Sequence, residues 1–242
     1  MAKIQVIGES CQDIFVYCDA KRLAPDLPVP VLSEKRVETN PGMAANVYRN
    51  ILSYVNDCLL VTNRNWEKIT KTRYVHEESN HLFLRVDTPH EVDTLDILSL
   101  EFNSEILVIS DYNKGFLSES VIEEICNRHQ QVFLDTKKVL GRWAEKAAFI
   151  KINNYEYNRS IPFITKSMND KLIHTRGSSG CDFRGINYPV EQISVRDTSG
   201  AGDSFMAALV INYLKTADII TSIKSANSAA SKVVKTRGVG VI

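Results

Sequence analysis

Nothing in this 242-residue sequence points to a membrane, an oxidising compartment or a polyanionic partner. No apolar run is long enough to span a bilayer. Met1 to Ile4 leads straight into a strand-like segment without a signal-peptide pattern, so a cytoplasmic location is expected. The five cysteines (Cys11, Cys18, Cys58, Cys126, Cys181) are odd in number and scattered, with no CxxC pair to suggest a zinc site or redox centre, and they fit a reducing cytosol. Lys+Arg and Asp+Glu both number 29, so no global field recruits nucleic acid or an anionic surface, and any anion must be held by a local site. The expected partner is a small molecule. There is no internal repeat, low-complexity tract or interdomain linker, and 44% hydrophobic content suits one main domain over residues 1–242.

What is present is an alternation. Short β-branched runs at Lys3 to Ile7, Cys58 to Val61, Ile106 to Ser110, Val132 to Leu134, Phe149 to Ile152 and Leu172 to His174 read as strands. Helical patterns lie between or after them at Met43 to Val55, Ser118 to His129, Gly202 to Leu214 and Ile219 to Lys235. Continuous apolar strands interspersed with helices predict an α/β fold with a mainly parallel sheet covered on both faces. Two stretches break the rhythm. Val29 to Val37 is extended, and Thr72 to Val86 alternates around a polar Glu77 to Asn80 turn, so a small β-sheet is expected to project as a lid from segments near 12–38 and 72–88.

The most informative run is Asp197-Thr198-Ser199-Gly200-Ala201-Gly202-Asp203, followed by the apolar stretch Phe205 to Ile211. It places a small-residue bend at the start of a buried helix, where free amides and the helix dipole favour an anion. Asp203 sits beside that anion site although a carboxylate should repel an anion. A general base that deprotonates an attacking hydroxyl has to be there. The plainer alternative is that Asp203 complements the helix dipole while Asp197 caps the turn.

The run Asp-Thr-x-Gly-Ala-Gly-Asp resembles the signature of the ribokinase, or PfkB-type, carbohydrate kinases. The resemblance implies a three-layer α/β/α sandwich, Asp203 as catalytic base, and the Gly200, Ala201 and Gly202 amides as cradle for the transferred phosphoryl group. Asn153-Asn154-Tyr155-Glu156 is similar to the family's Asn-x-x-Glu element, implying that Asn153 and Glu156 hold Mg²⁺ largely through water; taken alone it reads as a helix start. Thr175-Arg176-Gly177-Ser178-Ser179-Gly180 resembles the nucleotide loop, which assigns Thr175, Gly177 and Gly180 to ATP, with a plain hairpin turn as the alternative. Thr198 and Asn227 join them; the small-residue helix around Asn227 is like the one closing the family's adenine pocket, and close helix packing is its alternative. A monovalent cation is also compatible with the resemblance.

On the acceptor side, Asp13 and the segment Pro41-Gly42-Met43-Ala44-Ala45-Asn46 resemble the family's sugar-binding elements, implying Asp13 and Asn46 as hydroxyl ligands and Gly42 as a small substrate-binding residue that lets the sugar lie against the helix start. A turn-capping Asp and a helix-face amide are the alternatives. Three segments narrow the resemblance to bacterial heptose 7-phosphate kinases: Lys21 to Val31, Leu82 to Asp87, and Ser110-Asp111-Tyr112-Asn113-Lys114-Gly115. They imply transfer to the anomeric C1 hydroxyl. A phosphorylated acceptor needs cations, and Arg22, Lys114 and Arg85 are the candidates, each otherwise a solvated charge.

The pattern also departs from the family. Asn63 to Lys71 replaces at least one βα unit, Tyr157 to Asp170 is short, Met43 stands in place of a glycine, and Glu9-Ser10 alters the first loop. No His-x-Gly-His motif is found, so a single activity is expected. The expected protein is an ATP- and Mg²⁺-dependent kinase of a sugar phosphate. The rivals are a same-fold kinase of another sugar or nucleoside, and a non-catalytic binder of nucleotide or sugar. An exposed lid edge offers a route to a homodimer.

Overall fold

The computed structural model describes residues 2–89, 91–191 and 197–235. Its elements run in chain order as β1 (Ala2–Gly8), β2 (Ser10–Leu23), β3 (Pro30–Met43), α1 (Ala44–Leu52), β4 (Cys58–Val61), β5 (Thr70–His76) and β6 (Leu82–Asp87). They continue with β7 (Ser104–Asp111), α2 (Glu119–Arg128), β8 (Val132–Thr136), β9 (Phe149–Asn153), α3 (Asn154–Ser160) and α4 (Lys166–Asn169). The chain closes with β10 (Leu172–Thr175), β11 (Cys181–Phe183), β12 (Ile186–Tyr188), α5 (Ala201–Thr216) and α6 (Ile219–Val233).

Eight strands form the main sheet in the order β12-β11-β10-β9-β8-β7-β1-β4. All neighbours from β4 to β10 are parallel, while β10, β11 and β12 are antiparallel. Side chains alternate across a strand, and β7 shows the consequence. Ile106 and Val108 join the core beneath α1, α5 and α6, whereas Leu107 and Ile109 join the core beneath α2 and α4. The sheet is thus covered on both faces, as the continuous apolar strands require.

Helix α5 is nearly apolar all round because it lies inside the molecule. Every residue from Asp203 to Ile211 is buried, and each large aliphatic or aromatic side chain so placed contributes roughly 1.5–3 kcal/mol. That anchorage fixes the helix start, and with it the Gly200 to Asp203 turn. Ser118 caps α2, its hydroxyl accepting from the Val121 amide at 3.2 Å, as its sequence position foretold.

A second, four-stranded sheet in the order β3-β2-β5-β6 forms the lid. Strand β2 begins two residues after β1 and runs for 14 residues into the lid; its sequence does not read as a strand. The shortened connection is visible at β4, which is the edge of the main sheet, leaving Leu59 54% exposed. From there the chain passes to the lid through a single helical turn at Trp66–Lys68. Asn63 stitches the gap by accepting from the Ser10 amide at 2.8 Å, and the Thr62 hydroxyl donates to that of Ser10 at 2.7 Å.

Candidate active site

The α5 start has the geometry its composition predicts. Gly200 takes the left-handed conformation (φ 76°) as N-cap, one that a side chain would strain. The Thr198 carbonyl accepts from the Ala201 amide at 3.2 Å, and the Asp197 carboxylate accepts from the Ser199 amide at 2.8 Å, so Asp197 does tie the turn. No side chain caps α5 itself. Its first-turn amides therefore face outward, with the helix dipole behind them.

In front of them lies a cavity of about 610 Å³. Thr175, Gly177, Gly180, Thr198 and Asn227 all line it, together with Asn153 and Gly200 to Asp203. Val190, Phe205, Ala230 and Val234 supply an apolar wall. Thr175 to Cys181 is a hairpin turn between β10 and β11, the plainer of its two readings, and it lies at the cavity. Asn227 also lines the cavity, while its amide donates to the Tyr188 carbonyl at 2.9 Å.

Asp203 sits at the cavity wall, 6% exposed. One carboxylate oxygen accepts from the Asn46 amide at 2.8 Å and the other from the Tyr112 hydroxyl at 2.7 Å. Burial pushes its pKa above the usual carboxylate range, and the hydrogen bonds from Asn46 and Tyr112 partly offset the shift. A base raised in this way accepts a proton more readily than an ordinary aspartate.

Around it is a charged cluster. Lys151 of β9 and Asp135 of β8 are register neighbours on adjacent strands, paired at 2.7 Å and almost wholly buried. The Lys151 ammonium lies 3.1 Å from where a β-carbon on Gly202 would stand, which places a positive charge at the helix start. Lys137 pairs with Glu156 at 2.8 Å, and although burial opposes its charge, Asp135 and Glu156 outweigh that and hold its pKa up at about 12. Asn153 and Glu156 form a reciprocal capping box at the start of α3, the Glu156 carboxylate accepting from the Asn153 backbone amide at 2.6 Å and from its side chain at 2.8 Å. The helix-start reading of this pair is therefore correct as geometry, with Asn153 still facing the cavity. Among the described residues no group of three or more His, Cys, Asp or Glu side chains forms a metal site.

The acceptor side is ordered differently from expectation. Asn46, expected to bind sugar hydroxyls, is fully buried and gives its amide to Asp203, because it lies one turn into α1 and faces α5. Gly42 lies against Asp13 and Cys11, where a β-carbon would collide with the Asp13 carboxylate. Its smallness serves Asp13. That carboxylate is held by Arg73 at 2.5 Å. Arg22 is placed elsewhere: it is exposed at the hairpin end of β2, pairing with Val31, and nine residues of strand separate it from Asp13, roughly 30 Å. Lys114 is exposed, and its backbone amide donates to Glu9 at 2.9 Å. Arg85 is exposed and paired with Asp87 at 2.8 Å. Lys71 of β5, opposite Asp13 in register and 5.2 Å from the Tyr112 ring, is a second lid cation beside these groups, next to Arg73.

Met43 shows what its departure from glycine means. It sits at φ 61°, ψ −132°, and is buried against Cys11 and Ile69, with Val92 and Tyr112 alongside. That backbone region is hospitable to glycine, and a side chain there costs on the order of 1–3 kcal/mol. Met43→Ala loses the packing and keeps the strain, so we expect it to destabilise by about 2–4 kcal/mol. Met43→Gly is expected to destabilise less than Met43→Ala, inverting the usual order in which Gly is the worse substitute. Urea denaturation of both variants checks the order; Gly at or below Ala in stability would contradict it.

Several site residues escaped the sequence reading: Tyr112, Asp135, Lys137, Lys151 and Glu9. The signals were a Lys and an Asp inside apolar strands at Phe149 to Ile152 and Val132 to Asp135. Glu9, fully buried, accepts from the backbone amides of Tyr112 (2.8 Å), Lys114 (2.9 Å) and Phe116 (3.3 Å), so the altered first loop anchors the 112–116 loop.

A doubly covered parallel sheet, a β-sheet lid, and a carboxylate beside a glycine-lined helix start define a phosphotransferase of the small-molecule kinase type. The model of the pfkB family carbohydrate kinases matches residues 102–241, and the chain belongs to that family. It is 26% identical over 296 aligned positions to the bifunctional protein HldE of Bradyrhizobium diazoefficiens, covering 98% of this chain and 60% of that protein. HldE of Helicobacter pylori is likewise 26% identical over 303 positions, with 98% and 64% covered. The chain thus spans about three fifths of the length of the curated relatives it matches, and alignments longer than its 242 residues show that they carry segments it lacks. Among solved structures, ribokinase of Thermotoga maritima superposes with a TM-score of 0.71 at 15% identity, covering 99% of this chain and 95% of that one. Phosphofructokinase-2 of Escherichia coli in complex with potassium gives 0.71 at 14%, covering 100% and 95%. These likenesses establish a ribokinase-like fold.

Proposed function

We propose that the chain transfers the γ-phosphoryl group of ATP to the anomeric C1 hydroxyl of a sugar phosphate of the heptose 7-phosphate type. The observation that carries the reading is the position of Asp203, whose carboxylate stands at the wall of the cavity immediately after the open α5 amides. ATP fits that cavity with its base against Val190, Ala230 and Val234 and its phosphates toward Gly200 to Gly202. Asp203 takes the proton from the attacking hydroxyl, and the α5 amides with Lys151 stabilise the charge on the transferring group.

The residues fit a magnesium ion. One carboxylate oxygen of Asp135 is buried without a hydrogen-bond donor beside the cavity, close to Asn153 and Glu156, an oxygen-rich set suited to Mg²⁺ held mainly through water. When bound, the ion supplies neutralising charge to the β- and γ-phosphates. The lid, with Asp13 and Lys71 at its base, covers the acceptor and excludes water.

The sugar-phosphate acceptor rests on the likeness of segments 21–31, 82–87 and 110–115 to heptose 7-phosphate kinases. ADP release measured across a panel of heptose 7-phosphate, fructose 6-phosphate, ribose and nucleosides tests it. We expect the heptose phosphate to give the highest kcat/KM; a preference for an unphosphorylated sugar would refute the acceptor class.

We also propose a homodimer through the lid. Val37, Leu84 and Val86 are 46–50% exposed, and the register places Val37 and Leu84 on one face with Val16 and Tyr74. Edge strands β3 and β6 add unpaired backbone groups. Light scattering is expected to return twice the 27.3 kDa chain mass, and Leu84→Asp to return the monomer. A monomeric parent protein would dismiss the dimer.

A further inference from the structure

The Tyr112 hydroxyl occupies a position that the kinase reading reserves for substrate. It donates to Asp203 at 2.7 Å, the same bond an acceptor hydroxyl must make before losing its proton. The ring lines the nucleotide cavity, on the boundary between the phosphate side and the Asp13 side. It is held there from three directions. Below, Met43 packs against it within the cluster around Cys11 and Ile69. Beside it, the ammonium groups of Lys71 and Lys137 lie 5.2 and 5.5 Å from the ring centre. Behind it, the Tyr112 backbone amide is one of three fixed by the buried carboxylate of Glu9. The second oxygen of Asp203 is engaged by Asn46.

We propose that Tyr112 is a specificity-determining residue: its hydroxyl stands in for the acceptor, keeps water off Asp203 while ATP is bound, and yields that position to a sugar hydroxyl. The inference rests on the kinase reading. A base beside a bound triphosphate has no intrinsic means of distinguishing a sugar hydroxyl from water, and water at that point leads to ATP hydrolysis. A tyrosine hydroxyl on a rigid ring satisfies the carboxylate without presenting a mobile nucleophile. The sugar must displace it by offering more contacts, with Asp13 and the lid, than one water can make. On exchange Asp203 loses one hydrogen bond and regains one of the same kind, and the released Tyr112 hydroxyl takes the bound sugar as its new partner, so the exchange opposes sugar binding little.

Two variants separate this role from a structural one. Tyr112→Ala opens the position to water, and Tyr112→Phe removes the hydroxyl alone. In Tyr112→Ala, ATP hydrolysis without any sugar is expected to rise at least ~10-fold over the parent protein, a fraction of the ~10²–10⁴ that a general base supplies. In Tyr112→Phe, the loss of a hydrogen bond that lowers the Asp203 pKa is expected to move the acid limb of kcat/KM to higher pH. The other charges that set that limb remain in place: Asp135 and Lys151 from the sheet, Lys137 after β8, Asp13 and Lys71 from the lid. Nucleotide binding, followed by calorimetry, reports folding in both variants. Sugar-independent hydrolysis at or below the parent level in a Tyr112→Ala protein that binds ATP overturns the inference while leaving the kinase reading intact. A parent protein that turns over no acceptor in the panel overturns both.

Discussion

Asp203→Asn is expected to lower kcat by about 10²–10⁴, the range for loss of a general base, with the dissociation constant for ATP changed by less than about threefold (~0.7 kcal/mol). The substitution is nearly isosteric. The amide oxygen still accepts from Asn46 or Tyr112, and the amide nitrogen can donate to the Tyr112 hydroxyl, so the local network has a way to close. What disappears is the ability to accept a proton. Rapid-quench turnover beside calorimetric ATP binding checks both halves. In the parent enzyme the same carboxylate sets a pH limb. Burial raises its pKa, so the active, ionised form is lost as pH falls through a value above the ordinary aspartate range, and activity is expected to decline there. An Asp203→Asn protein that turns over near the parental rate would remove the assigned base.

Lys151→Met is the second large effect, and it acts on stability and rate through different partners. Truncating one member of a buried ion pair leaves the other uncompensated, at a cost of about 3–5 kcal/mol. Here the residue left is Asp135, 5% exposed, with one oxygen already lacking a donor. The rate should fall separately, by about 10²–10³, because the ammonium beside Gly202 is a preorganised charge where the phosphoryl group passes. The double variant Lys151→Met/Asp135→Asn, compared with Asp135→Asn alone because Asp135 also belongs to the proposed magnesium set, separates the two. It removes the orphaned charge, so the thermal midpoint is expected to recover most of the loss while kcat remains low. Recovery of both together would mean that Lys151 matters only for folding.

The readable parts of the fold were those written in local composition. The parallel strands announce themselves because their residues are buried on both faces, and α5 because a helix that is apolar on nearly every side has to lie inside the molecule. Strand β2 falls largely within the lid segment near 12–38 but is not legible as a strand of its own, because Asp13, Asp19 and Lys21 interrupt its alternation and its pairing with β3 contains two irregularities. Arg22 was assigned by resemblance of its segment, but the hairpin carries it to the far end of the lid.

The site divided along the same line. Residues that belong to one continuous turn could be named locally, Gly200 to Asp203 from composition and resemblance together and Asn153 and Glu156 from the resemblance of their segment. The Lys151 and Asp135 pair exists only because β8 and β9 are adjacent and in register, and Tyr112 meets Asp203 across 91 residues of chain. Such meetings are set by sheet order, which periodicity does not encode. Asn46 donates to Asp203 and Gly42 makes room for Asp13, contacts across the chain that the resemblance of their segment does not express.

A triphosphate that ends at the α5 amides with Asp203 beside it is the arrangement on which the kinase reading stands. A crystal structure with a non-hydrolysable ATP analogue and Mg²⁺ tests it directly. The γ-phosphate is expected within hydrogen-bond distance of the Gly202 and Asp203 amides, with the Asp203 carboxylate directed at the space beyond it. A triphosphate running away from Gly200 to Gly202, with Asp203 facing only protein, would contradict it.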